Sequence, residues 1–205
     1  PTLGGIMKSR AIAITAIAAA AVIGLGDCSS STTTSNSPAP ATSPAPTADL
    51  NTMNANGVTY KYPKNWSERT DISTQAQQGN RVWQQAVGPD SVSLSILSQY
   101  DLNVEVTPEN ASQLQGEVET TLSNLAQQAG GSTTSPVKAE QTAGLPGFTA
   151  TLKVKNPSGT EVESTVWLFF KGKTEFFLNC QYVTAQQAEL LAGCNTIRTT
   201  FAITG

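Results

Sequence analysis

From Val58 to the end of the chain the hydrophobic positions recur with two different periods, and the switches between them divide the sequence into elements. Alternation predicts strands over Val58 to Tyr62, Arg81 to Val87, Val92 to Gln99, Ser135 to Gln141, Phe148 to Val154, Thr160 to Phe170 and Glu175 to Tyr182. In the last of these, Phe176, Leu178, Cys180 and Tyr182 fall on one face and Phe177 on the other. Turn residues stand between the runs: Gly88, Pro89 and Asp90; Asn156, Pro157, Ser158 and Gly159; Lys171, Gly172 and Lys173. Such short connections make hairpins, so the sheet is expected to be mainly antiparallel. Val166 to Phe170 is apolar at every position, which predicts a central strand covered on both faces.

Two stretches carry the helical period instead. Thr107 as N-cap and Pro108 at the first helical position open the first. Ala111, Leu114, Val118, Leu122, Leu125 and Ala129 then trace one apolar stripe, opposite Gln113, Glu117, Ser123, Asn124 and Gln127, and Gly130 and Gly131 close it. In the second, Thr184 and Gln187 have the spacing of a capping box, followed by Leu190, Cys194, Ile197 and Phe201 at steps of four, three and four. Helices on opposite faces of the sheet give the expected fold class, α/β of the α+β kind: a three-layer α/β/α sandwich with a mainly antiparallel sheet.

The first fifty residues follow neither period. Met7, Lys8 and Arg10 precede the apolar run Ala11 to Gly26, and Cys28 follows it, which is the layout of a bacterial lipoprotein signal peptide. The run holds sixteen residues, short of the roughly 20 that span a bilayer. A cysteine left at a new N-terminus can carry lipid, so Cys28 is the expected acylation site and the expected location is extracytoplasmic, anchored to the cell membrane. Asp27 departs from the usual lipobox, and an uncleaved signal anchor or ordinary cleavage are the alternatives; each leaves the domain outside the cytoplasmic membrane. Residues 29–47 are almost wholly Ser, Thr, Pro, Ala and Asn, a mixture unable to bury a core, and four prolines extend it to a reach on the order of 50 Å. The expected organisation is residues 1–6 as vector-derived or upstream sequence, 7–27 as signal peptide, 28–50 as lipidated cysteine and disordered linker, and 51–205 as one globular domain.

Charge and chemistry narrow the function. Lys8, Arg10 and Asp27 leave with the leader, so ten Lys plus Arg face fourteen Asp plus Glu and the mature net charge is −4, which argues against nucleic acid as a partner. The chain has no histidine, removing the commonest general base and zinc ligand; no enzyme activity, metal or cofactor is expected. Ser135 and Lys138 have Ser-x-x-Lys spacing, but Pro136 and Val137 between them read as an extended strand entry. Glu161 and Glu163 read as a solvated strand face, and Glu117 and Glu119 point apart on their helix. With Cys28 assigned to lipid, Cys180 and Cys194 form an even pair in a disulfide-permissive compartment. A bond between them is expected to contribute roughly 3 kcal/mol, the alternative being two buried thiols.

The order of elements, with the opening Val58-x-Tyr60-x-Tyr62-Pro63-x-x-Trp66, resembles the LpqN-type lipoproteins of mycobacteria and their relatives, whose domain is similar to the PsbP fold of photosystem II and to the yeast Ran-binding Mog protein. The similarity covers roughly Gly57 to Ile203, together with the leader, cysteine and Thr/Pro-rich spacer. It implies a non-enzymatic envelope protein whose relatives act as binding or adaptor modules, and it carries over no catalytic residue. The expected partners are the membrane, through the lipid anchor, and an envelope protein or lipid-like ligand; the ligand-binding residues are not readable. A structural accessory subunit of a membrane complex, or a secreted or host-interacting factor, are the alternatives. Trp66, Trp83 and Trp167 are expected in the core.

Overall fold

The computed structural model describes residues 49–73, 80–155 and 160–204. The leader, Cys28, the spacer and the expected turn at 156–159 lie outside the described residues.

The alternating Val58, Tyr60 and Tyr62 form β2 (Val58–Pro63), with all three side chains buried. Ahead of it lies a strand outside the expected set, β1 (Leu50–Ala55), paired antiparallel to β2 along its whole length. Asn56 and Gly57 join them with φ of 50° and 75°, the positive values that a two-residue hairpin turn of this hand requires. β10 (Ala202–Ile203) flanks β2 on its other side, giving a small sheet of order β1-β2-β10.

The larger sheet runs β3-β4-β5-β9-β8-β6. Its elements are β3 (Ser67–Glu68), β4 (Arg81–Gly88), β5 (Leu94–Val106), β6 (Ser132–Thr133), β8 (Gly147–Lys155) and β9 (Glu161–Tyr182), with β7 (Lys138–Ala139) also paired to β8. Every pairing is antiparallel. β9 is extended for 22 residues but is not straight. The Phe169 and Phe176 rings stack 5.4 Å apart and the Thr165 and Tyr182 hydroxyls lie 3.1 Å apart, so the segment doubles back at the expected Lys171-Gly172-Lys173 turn, where Gly172 has a φ of 59°. The first limb pairs with β8 and the second with β5, placing both at the centre of the sheet.

Each face of this sheet carries its own core. On one, Trp167, Phe169, Phe176, Leu178 and Tyr182 pack against the small sheet and α4 (Gln187–Thr200). On the other, Phe148, Ala150, Val166, Leu168, Phe170 and Phe177 pack under α2 (Pro108–Ala111) and α3 (Gln115–Gln128). The alternation read from β9 is therefore realised, and the three layers are α2 and α3, the large sheet, and α4 with the small sheet. A short α1 (Thr70–Ser73) caps a satellite cluster of Ala86, Leu94 and Ile96 through Ile72. Cys180 on β9 and Cys194 on α4 are disulfide-bonded and fully buried, tying sheet to helix. Alkylation of the denatured, unreduced protein should leave both cysteines unmodified; labelled thiols at 180 and 194 would refute the bond.

Four expectations are corrected. The stretch Ser135 to Gln141 is not one strand: only Lys138–Ala139 pairs, because Pro136 cannot donate to a ladder and residues 142–145 turn sharply, with Ala143 and Gly144 at φ of 52° and 77°. The helix over 107–129 is tightened by a 3₁₀ turn at Ser112–Leu114; Thr107 and Pro108 open it as expected, with the Thr107 N–H donated to Asn110 Oδ1 at 2.8 Å. Gly130 and Gly131 close it through N–H bonds to the Gln127 and Ala126 carbonyls. Thr184 and Gln187 make no capping box, since Thr184–Gln186 is a 3₁₀ turn and Gln186 reaches across to the β4–β5 loop instead. Phe201 lies past the end of α4 in extended backbone, yet remains 5% exposed, packed edge-on to Phe169 and Phe176.

Candidate functional site

The hairpin tips of the two sheets meet on one side of the domain and leave a recess of about 290 Å³ between them. The β1–β2 turn supplies Asn56 and Gly57, β5 supplies Gln99, and the β9 tip supplies Lys171 and Thr174; Val58, Phe176 and Ile203 form the remaining wall. Local sequence explains the arrangement. Val58 and Phe176 point inward by strand alternation, and Asn56 is held over the opening by donating from Nδ2 to Gln99 Oε1 at 2.9 Å. The lining has one cation, two amides, a hydroxyl and an apolar wall, with no carboxylate and no thiol. Such a set binds and orients a molecule through hydrogen bonds, one positive charge and apolar contact.

A buried polar row crosses the opposite face of the sheet. Arg81 donates to Gln84 Oε1 at 2.6 Å, Ser98 donates to the same oxygen at 3.2 Å, and Gln84 Nε2 donates to the Ile72 carbonyl at 2.8 Å. Tyr100, paired with both Arg81 and Glu175 in the ladder, has its phenol pushed up by burial. Glu175 is fully buried, neither carboxyl oxygen has a hydrogen-bond partner among the described residues, and burial pushes it up to about 7. Arg81, Gln84, Ser98 and Glu175 are all buried, so the row is part of the packed interior of the described residues.

A third cluster is architectural. Burial works against the charge of Asp90, but bonds from the Ser93 N–H, Gln186 and the Val92 N–H hold its carboxyl below the usual range. It thereby fastens the β4–β5 loop to the start of α4, while Arg69 holds Asp71 bidentately and donates to the Asp90 carbonyl.

The residues singled out from sequence do not converge on either feature. The Ser135 hydroxyl accepts from the Thr151 N–H at 2.7 Å and Lys138 lies exposed on β7, so the pair serves the sheet edge. Glu161 pairs with Lys153 at 2.7 Å on the solvated strand face. Glu117 is half-buried and Glu119 exposed on α3. Trp66 and Trp167 are buried and Trp83 half-buried, all three in the core with α4, where Arg198 stacks 4.9 Å from the Trp167 ring centroid. No group of three potential metal ligands lies together among the described residues, and no helix among them is long and apolar enough to cross a membrane. The recess was not readable in the sequence because its residues come from β2, β5, β9, β10 and the β1–β2 turn, and β1, which creates that turn, was outside the expected set. The Asn56-Gly57 dipeptide was the available signal for it.

No family model matches the chain, and no curated protein sequence matches it. Among solved structures it is similar to cyanobacterial PsbP (CyanoP) from Synechocystis, with a TM-score of 0.55 at 10% identity over 78% of this chain and 95% of that one. It is also similar to LpqN, described as involved in cell envelope biogenesis of Mycobacterium tuberculosis, at TM-score 0.48 and 12% identity over 77% and 91% of the two chains. A Bacteroides thetaiotaomicron protein gives 0.43 at 10% identity over 73% and 46%. The likeness to CyanoP makes the fold PsbP-like.

Proposed function

We propose that this chain is a non-catalytic lipoprotein of the cell envelope, of the LpqN type, in which a PsbP-like domain acts as an extracytoplasmic binding or adaptor module for a protein or lipid-like envelope component. The observation that carries the reading is the layout of the first fifty residues: a basic start, a sixteen-residue apolar run, Cys28, and a proline-rich spacer that leads directly into β1. A domain held on the order of 50 Å from a bilayer is placed to meet other envelope molecules. Two further features support it. The chain has no histidine, and the recess at the hairpin tips offers groups for holding a ligand rather than for moving its protons.

The test begins with Cys28→Ala. Wild-type protein should fractionate with the membrane and incorporate labelled fatty acid, and the variant should become soluble and unlabelled; membrane association unchanged by the substitution would remove the lipid anchor from the proposal. Native protein isolated in mild detergent then separates the binding roles. Lipid at near one per protein would point to a carrier or sensor, with the recess as the first place to mutate. Membrane or wall protein without stoichiometric lipid would instead mark the domain as an adaptor, and the outer surface of the sandwich would become the place to mutate. The face under α3 is a weaker candidate for ligand, since Val118, Leu122 and Ala126 seal it with no exposed surface.

A further inference from the structure

β1 is six residues long, whereas β3, β6 and β10, which hold the other ends of the two sheets, have two residues each. Its pairing with β2 fixes which way its backbone faces. The Lys64 N–H bonds the Asp49 carbonyl at 3.0 Å, while Pro63, which has no N–H, stands opposite Leu50. Lys61, opposite Thr52, turns its N–H away to the Thr200 hydroxyl at 2.8 Å. Because the direction alternates along an antiparallel ladder, Asp49, Asn51, Met53 and Ala55 bond toward β2, and the N–H and C=O groups of Leu50, Thr52 and Asn54 point out of the sheet. Those three residues are exposed, and the strand contains no charge and no proline, the usual devices that blunt an edge.

We propose that this edge pairs with the same edge of a second copy of the chain, antiparallel, about a two-fold axis at Thr52. The register follows from the parity of the outward groups. With Thr52 opposite Thr52 of the second copy, Leu50 stands opposite Asn54 and Asn54 opposite Leu50, so every outward N–H and C=O finds a partner. A two-residue shift one way would bring in Asn56, which has already left the strand at a φ of 50°, and the other way would set Asn54 against a residue that precedes β1. Threonine pairs well with threonine across strands, and no like charges meet, since Asp49 faces Ala55. The chain's own spacer is a poor competitor, because Pro38, Pro40, Pro44 and Pro46 cannot donate to a ladder. A six-residue pairing buries less than a standard interface, so association is weak in free solution and is favoured when both copies are tethered to one membrane. That strengthening rests on the anchored reading above; the register does not.

The experiment places single cysteines in the full chain in the membranes of producing cells. In a hydrogen-bonded antiparallel pair the Cα atoms approach to about 5.5 Å, within the range a disulfide spans. Thr52→Cys should therefore give a disulfide-linked dimer on mild oxidation, and adding Asn54→Pro, whose N–H faces outward, should abolish it while the Cys180–Cys194 bond stays protected. Lys61→Cys, exposed but on the central strand β2, should give none. The pairing is overturned if Thr52→Cys forms no more dimer than Lys61→Cys, or if it cross-links to a protein of different size. The same variants in a Cys28→Ala background, concentrated after release, separate the two readings: membrane retention there defeats the anchor, while the cross-linking pattern judges the edge.

Discussion

Trp66→Ala should lower stability by about 3–5 kcal/mol, the range for removing a buried large aromatic side chain. Trp66 follows the Pro63 corner, where its N–H bonds the Pro63 carbonyl at 3.0 Å, and its ring enters the core between β2 and α4 at 3% exposure. The site cannot collapse readily around the loss, because the facing position on α4 is Gly193, which has no side chain to move into the space. The same contact predicts the effect from the other side. A Cβ at Gly193 would clash with the Cζ2 and Cη2 carbons of the Trp66 ring, so Gly193→Ala forces the helix or the indole out of place. Thermal melts should show both variants lowered by roughly 10 °C, at about 2–4 °C per kcal/mol for a domain of this size. A melting temperature unchanged by Trp66→Ala would mean that the corner is not the plug of this core.

The second large effect concerns Glu175 and is a dependence on pH. Its carboxyl is buried without a hydrogen-bond partner among the described residues, with Arg81 and Tyr100 the ionisable side chains paired along its ladder row. Burial raises its folded value to about 7 from an ordinary 4.5, so the folded state holds the proton more tightly than the unfolded chain. Between those values the native state binds more protons, and stability falls as pH rises. The contribution is fully present below about 4.5 and lost by the time pH has passed through 7. A shift of this size corresponds to about 3 kcal/mol. Glu175→Gln, neutral at every pH, should flatten the profile and stabilise the protein at pH 8 by up to that amount. Denaturant unfolding at pH 5 and pH 8 tests this: parallel profiles for wild type and variant would show that Glu175 stays ionised or finds solvent.

Sequence periodicity carried most of this architecture, for identifiable reasons. In β9, strict alternation and an apolar centre leave one arrangement that buries both faces, and the Lys171-Gly172-Lys173 turn follows from the one residue that takes a positive φ without strain. The long helix was legible because Thr107 and Pro108 mark its start and two glycines its end. β1 was not, because Leu50-Asn51-Thr52-Met53-Asn54-Ala55 alternates only between exposed and half-buried positions, and its hydrophobic signal is correspondingly weak. Irregular pairing also hid from pattern reading. Ser135 to Gln141 touches the sheet at two residues, and β5 runs on to Val106 through a register break after Asp101 that places polar residues in the strand. The recess was illegible for a different reason: Asn56, Gln99 and Lys171 are brought together by tertiary packing that no local period encodes.

The placement of β9 at the middle of the sheet sets the order in which the domain can assemble. The chain is made from its N-terminus, yet the segment that β5 and β8 both need as a neighbour runs from Glu161 to Tyr182. Until that segment is available, β4 and β5 form at best an isolated hairpin and β8 lacks its main partner, so the halves of the sheet cannot join. The part of this domain that emerges late is also the most self-contained, a hairpin with a short turn followed at once by the helix to which it is disulfide-linked. Assembly is therefore held back until nearly the whole domain has been delivered and is then completed around local contacts that close quickly. If the chain is exported as proposed, that delay would keep the translocating segments free of stable structure.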